Sequence, residues 1–465
     1  MIAKPLYQLS IIEAGQQLRD GATTSCQLTE TALGRIAALD SQYRAFVTLT
    51  ADRAMADARR ADEAFSRGED RSPMQGVPFA LKDLIDAAGI RTTSQSRLML
   101  DHMPTEDAVV TARLREAGGV LLGKLATYEF AVGGPSFDLP FPPARNPWNI
   151  DHIPGGSSSG SAAAVAAGFV RTAIGTDTGG SIRSPACYCG VVGLKPTFGR
   201  VSLDGIYPLS PSLDHAGPLS ATVEEAALTF DIIAGESTAT SARSRIGQDL
   251  RGLTIAYPRS FHSNDPEASP EVVDALDTAV SRLSLLGARI EEIDLPSYQI
   301  FEDCGIVILR AEAYAVHERT LRLRPQDYGQ LAYQSLAGGL ALTAADVARA
   351  RQVQRTLTLQ LNRDVFSHFD ALVCANVLAP APRFDSFDCK TPRWTAMRTL
   401  PFNVTGHPAL ALPMGMSGSG LPLGMQIVGR SFDEAGICRI GAAYETATDW
   451  GRLPDAARLL GAPAA

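Results

Sequence analysis

Two bursts of small residues, separated by one helix and one strand, most constrain what this chain can fold into. Both lie within residues 155–193, GGSSSGSAAAVAAGFVRTAIGTDTGGSIRSPACYCGVVG. The first burst, Gly155-Gly156 followed by Ser157, Ser158 and Ser159, is a flexible backbone with exposed hydroxyls, and residues 161–169 then read as an Ala-rich helix. A loop ending at a helix N-terminus presents unpaired N–H donors and a partial positive charge, which suits an anion or a developing oxyanion. The second burst follows a short apolar strand at 172–175 and runs Thr176-Asp177-Thr178-Gly179-Gly180-Ser181. Glycines there let backbone N–H groups converge on one atom with no Cβ in the way. The two loops are expected to face a common point.

Gly/Ser bursts are most often plain loops, so a third feature decides their meaning. Upstream, Val77-Pro78-Phe79-Ala80-Leu81-Lys82-Asp83 places a lysine straight after an apolar run, where burial keeps its amine dry. Desolvation lowers a lysine pKa. A lysine that is neutral near pH 7 can act as general base toward a serine, so no histidine is needed.

These residues resemble the amidase signature family, serine hydrolases with a Ser-(cis-)Ser-Lys triad. Lys82 and Ser157 are 75 residues apart and Ser157 and Ser181 are 24 apart, as in typical members. GGSS, GTDTGGSIR, CGVVGLKPT and SLDHAGP follow in order, and the resemblance runs over residues 25–450. It implies that Ser181 is the nucleophile, Ser157 a bridging serine beside a cis peptide, and Lys82 the base. The N–H groups of Thr178, Gly179, Gly180 and Ser181 are implied as the oxyanion hole. Asp177 and Arg183 are implied as supports that hold that loop in shape, with a surface ion pair as their plainer reading. The chemistry needs no cofactor and no metal.

The rest of the chain is compatible with this. Its 465 residues are 45% hydrophobic and 20% charged without a long polar tract, so one large domain is expected over 1–465. Within it stand a helical N-terminal segment at 1–67, a catalytic core at 70–235 and a variable helical subregion at 300–362. Short apolar strands alternating with helices favour an α/β fold, a mixed, mostly parallel sheet sandwiched between helices. Helices are expected at 9–18, 25–39 with Ser25 as N-cap, 51–65, 108–117, 270–286 and 433–448. Strands are expected at 77–81, 120–122, 251–258, 288–295, 371–374, 409–413 and 423–429. A break follows Gly235, and the tail after Pro454 reads as loosely held.

A net charge of −8 and the lack of any basic stripe argue against a nucleic-acid partner. No apolar stretch of eighteen residues occurs, and the N-terminus has no continuous apolar core, so a cytoplasmic chain with no membrane contact is expected. The seven cysteines include no CxxC block, and Cys187-x-Cys189 has the wrong spacing for zinc, which leaves two small buried residues. A homodimer is compatible with all of this.

Gly156-Ser157-Ser158-Ser159-Gly160 also fits G-x-S-x-G, the nucleophile elbow, with Ser158 central and His215, His317 or His407 as base. The elbow needs a buried strand directly before it, and residues 146–154 are turn-like instead. His152, His215 and His407 are expected to be structural.

The resemblance offers two readings of the substrate, and the first is the expected one. The first is a self-standing amidase for a small aryl or alkyl carboxamide, with anilides or carbamates as further candidates, because Tyr128, Phe130 and Phe137 are expected to line the pocket mouth with apolar surface. The second is the glutaminase subunit of a tRNA-dependent amidotransferase. Those subunits hold the glutamine amino group with an aspartate seven residues before the Asn of an N-L-A-G-like turn. Here that turn is Asn403-Val404-Thr405-Gly406, and Ala396 stands at the aspartate position.

Overall fold

The computed structural model describes residues 4–235, 240–388, 390–448, 450 and 454; the break after Gly235 and the tail after Pro454 lie outside these residues. Eleven strands form one sheet. They are β1 (Phe46–Leu49), β2 (Pro78–Lys82), β3 (Val120–Leu125), β4 (Thr172–Asp177), β5 (Val192–Lys195), β6 (His215–Ser220), β7 (Thr254–Tyr257), β8 (Arg289–Glu292), β9 (Ala371–Ala375), β10 (Ala409–Met416) and β11 (Pro422–Gly429). Their order is β1-β3-β2-β4-β6-β5-β10-β11-β9-β7-β8. Parallel pairing is confined to β3-β2-β4 and β8-β7-β9, and the other six pairs are antiparallel. The sheet is thus mixed, and the expectation of mostly parallel pairing is corrected. Four of these antiparallel pairs involve β1, β5 or β6, strands that the sequence pattern hides. His-Ala-Gly-Pro-Leu-Ser of β6 carries the Gly and Pro that mark turns, and only its six-residue pairing with β4 makes it a strand.

Both faces of the sheet are covered, and side chains alternate between them. Phe79 and Leu81 join one buried cluster with the helices Val223–Ala234 and Pro270–Leu285, while Ala80 between them joins another, with the Ala-rich helix Ser159–Ala166. That alternation is the two-residue period of a strand, and burial on both sides explains why VPFAL reads as a continuous apolar run. Ser25–Tyr43 is capped by Thr24, whose hydroxyl accepts from Gln27 N–H while the Gln27 side chain returns to Thr24 N–H, so Ser25 is the first helical residue and not the cap. The helices Tyr298–Leu323, Gln330–Ala337 and Ala344–Leu361 form a third buried cluster with Phe130, Leu84, Leu400 and Phe402.

Candidate active site

Lys82 is the last residue of β2, a strand flanked by β3 and β4 and buried at all five positions. Parallel pairing of β2 with β4, Leu81 opposite Ile174, sets the C-terminal ends of both strands side by side, the usual place for a site in a sheet of this kind. Lys82 Nζ therefore reaches Thr176 Oγ1 at 2.7 Å and Ser157 Oγ at 2.7 Å. Its side chain is fully buried, and that desolvation lowers its pKa to about 7 against the opposing pull of Asp177 and Asp214.

Ser157 follows a cis peptide with Gly156. Gly156 is a position where no other residue fits, because a Cβ there would lie 2.2 Å from the Tyr128 ring. The two small-residue loops do meet: Ser158 N–H donates to the Ser181 carbonyl at 3.2 Å, and Ser157 and Ser181 line one cavity. The helix N-terminus after the first loop is not free to hold an oxyanion. Ser159 N–H donates to Ser157 O and Gly160 N–H to Ala126 O, both at 2.8 Å.

The second loop is shaped by Asp177. Its carboxylate accepts from Gly180 N–H at 2.8 Å and Ile182 N–H at 3.2 Å, and from Arg183 Nε and Nη2 at 3.0 Å each. Gly180 N–H is thereby turned away from the cavity, so of the four amides expected as oxyanion donors the Gly180 amide is otherwise engaged. Gly180 has φ +135, and a Cβ there would meet Thr399 Oγ1 at 2.2 Å. Burial alone would raise the Asp177 carboxyl, but the Arg183 guanidinium overrides it and holds the group well below its ordinary 3.8. Arg183 further donates to Thr399 O at 2.9 Å, Gln426 Oε1 at 2.8 Å and Asn403 Oδ1 at 2.6 Å. The surface ion pair is therefore excluded: both side chains are 0% exposed.

Removing one member of this pair strands a buried charge. Arg183→Met is expected to cost about 3–5 kcal/mol of stability, read from the urea midpoint of the full chain. Asp177's share is present above the ordinary carboxyl range and is lost as pH falls through its depressed folded value, so the variant's deficit should shrink in acid.

Of the three expected pocket aromatics, Tyr128 lines the cavity. Phe130 does not. It is 1% exposed, with φ 47, and packs on Tyr207 at 4.9 Å and His317 at 4.5 Å between ring centres, outside the cavity lining. Phe137 does not either; it is 44% exposed and packs edge-on against Phe384 at 6.0 Å. The backbone at 130–131, with positive φ at both positions, turns Phe130 into the third buried cluster, which no linear pattern shows. Residues from a distant segment replace them: Phe387, Arg393, Trp394, Thr395 and Met397. Thr176, Asp214, whose carboxylate accepts from Thr178 Oγ1 at 2.6 Å, and Thr399, whose hydroxyl donates to Gly179 O at 2.6 Å, are functional neighbours that sequence reasoning missed. For Asp214 the one signal was its place within the SLDHAGP string.

Ser158 has no histidine beside it. Its hydroxyl donates to Thr176 O at 3.1 Å, whereas His215 bonds Leu213 O, His317 bonds the Tyr328 hydroxyl and His407 stacks on Phe366. His152 bonds Ala381 O at 2.6 Å. Among the described residues no group of three or more His, Cys, Asp or Glu converges to hold a metal, and no helix is long and apolar enough to cross a membrane.

The fold, with a buried lysine bonded to a serine beside a glycine-lined loop, defines a hydrolase of carbon–nitrogen bonds. The family model described as Amidase matches residues 27–438, and the chain belongs to that family, the amidase signature enzymes. It is 39% identical to the A-subunit of glutamyl-tRNA(Gln) amidotransferase from Roseiflexus sp. (strain RS-1), covering 97% of this chain and 99% of that one. It is 40% identical to the protein of the same name from Chloroflexus aggregans, with the same coverage. A solved structure of a vestigial protein complex that reveals the evolutionary origins of an s-triazine catabolic enzyme superposes with a TM-score of 0.88 at 34% identity, covering 96% of this chain and 99% of that one. The relatives' names correct the expectation of a small-molecule amidase with no nucleic-acid partner, since they describe one component of an enzyme that acts on a tRNA. Net charge sums over the whole surface and therefore says nothing about a partner subunit.

Proposed function

We propose that the chain is the amide-hydrolysing, ammonia-releasing component of an amidotransferase of the glutamyl-tRNA(Gln) type. End-to-end identity of 35–40% to the A-subunits of such enzymes supports this reading. The observation that carries the chemistry is the 2.7 Å bond between Lys82 and Ser157 in the cavity that Ser181 lines.

Lys82, as the neutral amine, takes a proton from Ser157 as Ser157 takes one from Ser181. Ser181 Oγ then bonds to the amide carbonyl carbon, and the oxyanion rests on the loop amides that Asp177 leaves free, those of Thr178, Gly179 and Ser181. Collapse breaks the C–N bond, and the proton held by Lys82 returns through Ser157 to the leaving nitrogen, which departs as ammonia. Water gives a proton to the same relay and its oxygen to the acyl carbon, releasing a carboxylate and restoring Ser181.

The test measures ammonia release by the purified chain, alone and with the tRNA-binding component of such an amidotransferase and glutamyl-tRNA(Gln). Release that depends on Ser181 and rises with the partner and tRNA is expected. Ammonia release indifferent to both would overturn the amidotransferase reading, and no release under any condition would overturn amide hydrolysis itself.

A further inference from the structure

A second cavity opens beside the start of β2 and β3, at the end of β2 opposite Lys82, and Arg53, Asp57, Arg60, Arg71, Gln75 and Arg115 line it. Three segments supply these residues. Arg53, Asp57 and Arg60 are spaced i, i+4 and i+7 on the helix Ala51–Ser66, which sets them on one face. Arg71 and Gln75 stand in the turn before β2, where Gln75 Oε1 accepts from Arg71 N–H at 2.6 Å and Gln75 Nε2 donates to Glu69 O at 2.8 Å, fixing the turn. Arg115 lies in the last turn of the helix Val109–Glu116. A chain of net charge −8 thus gathers four guanidiniums around one space, without any linear basic run to announce it.

Neighbouring acids answer half of that charge. Asp57 pairs with Arg60, and Asp107 accepts from Arg115 Nη1 through both oxygens, at 2.7 and 2.6 Å. Arg53 Nη1 donates to a neutral acceptor, Ala88 O, at 2.7 Å. Burial, together with the charges of Arg115 and Arg60, holds the Arg53 guanidinium below its ordinary value against the pull of Asp107. Arg115 Nε and Nη2 are buried and have no hydrogen-bond partner among the described residues. Those two atoms form one edge of the guanidinium, the fork that receives two oxygens of an oxyanion side by side. Leaving such donors unmade is costly, and an anion in the cavity relieves both that cost and the repulsion among the arginines. A carboxylate brings one charge and one planar edge, which a single guanidinium saturates, whereas a phosphate dianion brings the two charges required and oxygens in several directions. Arg53 and Arg115 are half-buried while Arg60 and Arg71 are exposed, which suits the end of a ligand and not the middle of a chain. We propose that this cavity binds a terminal phosphate group, as on a mononucleotide or inorganic pyrophosphate, through Arg53, Arg60, Arg71 and the free fork of Arg115. The site is separate from Ser181 and does not depend on the reaction there.

Calorimetric titration of the full chain at fixed ionic strength tests this with four probes: inorganic pyrophosphate, adenosine 5′-monophosphate, dimethyl phosphate as a phosphodiester, and acetate. Pyrophosphate and the monophosphate are expected to bind at least about tenfold more tightly than the other two, the worth of added charge-assisted bonds. Pyrophosphate should also raise the Tm of the chain, because it binds the folded state. Arg115→Lys keeps a positive charge beside Asp107 but removes the fork, and should weaken pyrophosphate by about tenfold. Arg71→Glu changes an exposed side chain, so its fold and its ligand-free Tm should stay as in the parent chain. In that variant pyrophosphate should bind at least about tenfold more weakly and no longer raise the Tm. Pyrophosphate bound no better than acetate, or bound equally by the parent chain and Arg71→Glu, overturns the proposal. Dimethyl phosphate bound as tightly as the monophosphate would assign the cavity to a nucleic-acid backbone and overturn the terminal phosphate.

Discussion

Ser181→Ala is expected to lose about 10⁴-fold or more in amide hydrolysis and all labelling by a fluorophosphonate, whereas Ser158→Ala keeps both within about tenfold. The two serines differ in what surrounds them. Ser181 lines the cavity that also exposes Ser157, the hydroxyl held by Lys82. Ser158 is 0% exposed and its hydroxyl is spent on the Thr176 backbone, donating to its carbonyl and accepting from its N–H at 3.3 Å. Its loss leaves those buried groups short of a partner and should cost about 1–3 kcal/mol of stability instead of activity. Mass spectrometry of the labelled peptide separates the two sites. An adduct on Ser158 would move the nucleophile to the elbow reading.

Lys82→Ala should reduce kcat/KM by about three orders of magnitude, since it removes both the proton acceptor and the later donor. The pH profile carries the sign. Catalysis needs the neutral amine, and the folded value near 7 means that kcat/KM rises about tenfold per pH unit below that point and levels above it. In Lys82→Ala the residual rate should lack this acid limb; a limb that persists would identify another base. The same shift has a stability consequence of opposite appearance. Lys82 is lowered from 10.5, so between about 7 and 10.5 the unfolded chain holds the proton that the folded chain lacks, and Lys82's contribution to stability improves with rising pH across that window. Burial of this lysine is thus a cost to the fold that the chemistry requires.

The residues proposed to carry the chemistry are legible because each sits in a local signal. Lys82 ends a continuous apolar run, and Ser157 and Ser181 stand in the two glycine-lined bursts. The burial of β2 on both faces writes itself as VPFAL, whereas the cap of the helix Ser25–Tyr43 is Thr24 and not the Ser25 that the sequence pattern favours. The pocket was not legible. Phe130 and Phe137 are close in sequence to Tyr128, yet the backbone at 130–131, with positive φ at both positions, turns Phe130 into the third buried cluster, and Phe137 packs against Phe384. Trp394 and Arg393, more than 200 residues beyond Ser181, come in to replace them.

The sequence by itself determined which residue types end the central strands and fill the loops after them, because strand period, glycine and caps act within a few residues. Only the tertiary structure decided that β6 would insert antiparallel between β4 and β5, that Arg183 would meet Gln426 and Asn403, and that Trp394 and Met397 would line the same cavity as Ser181. Those meetings depend on the order of strands in one sheet, which is set by packing summed over the whole core. No local window of the chain contains that sum.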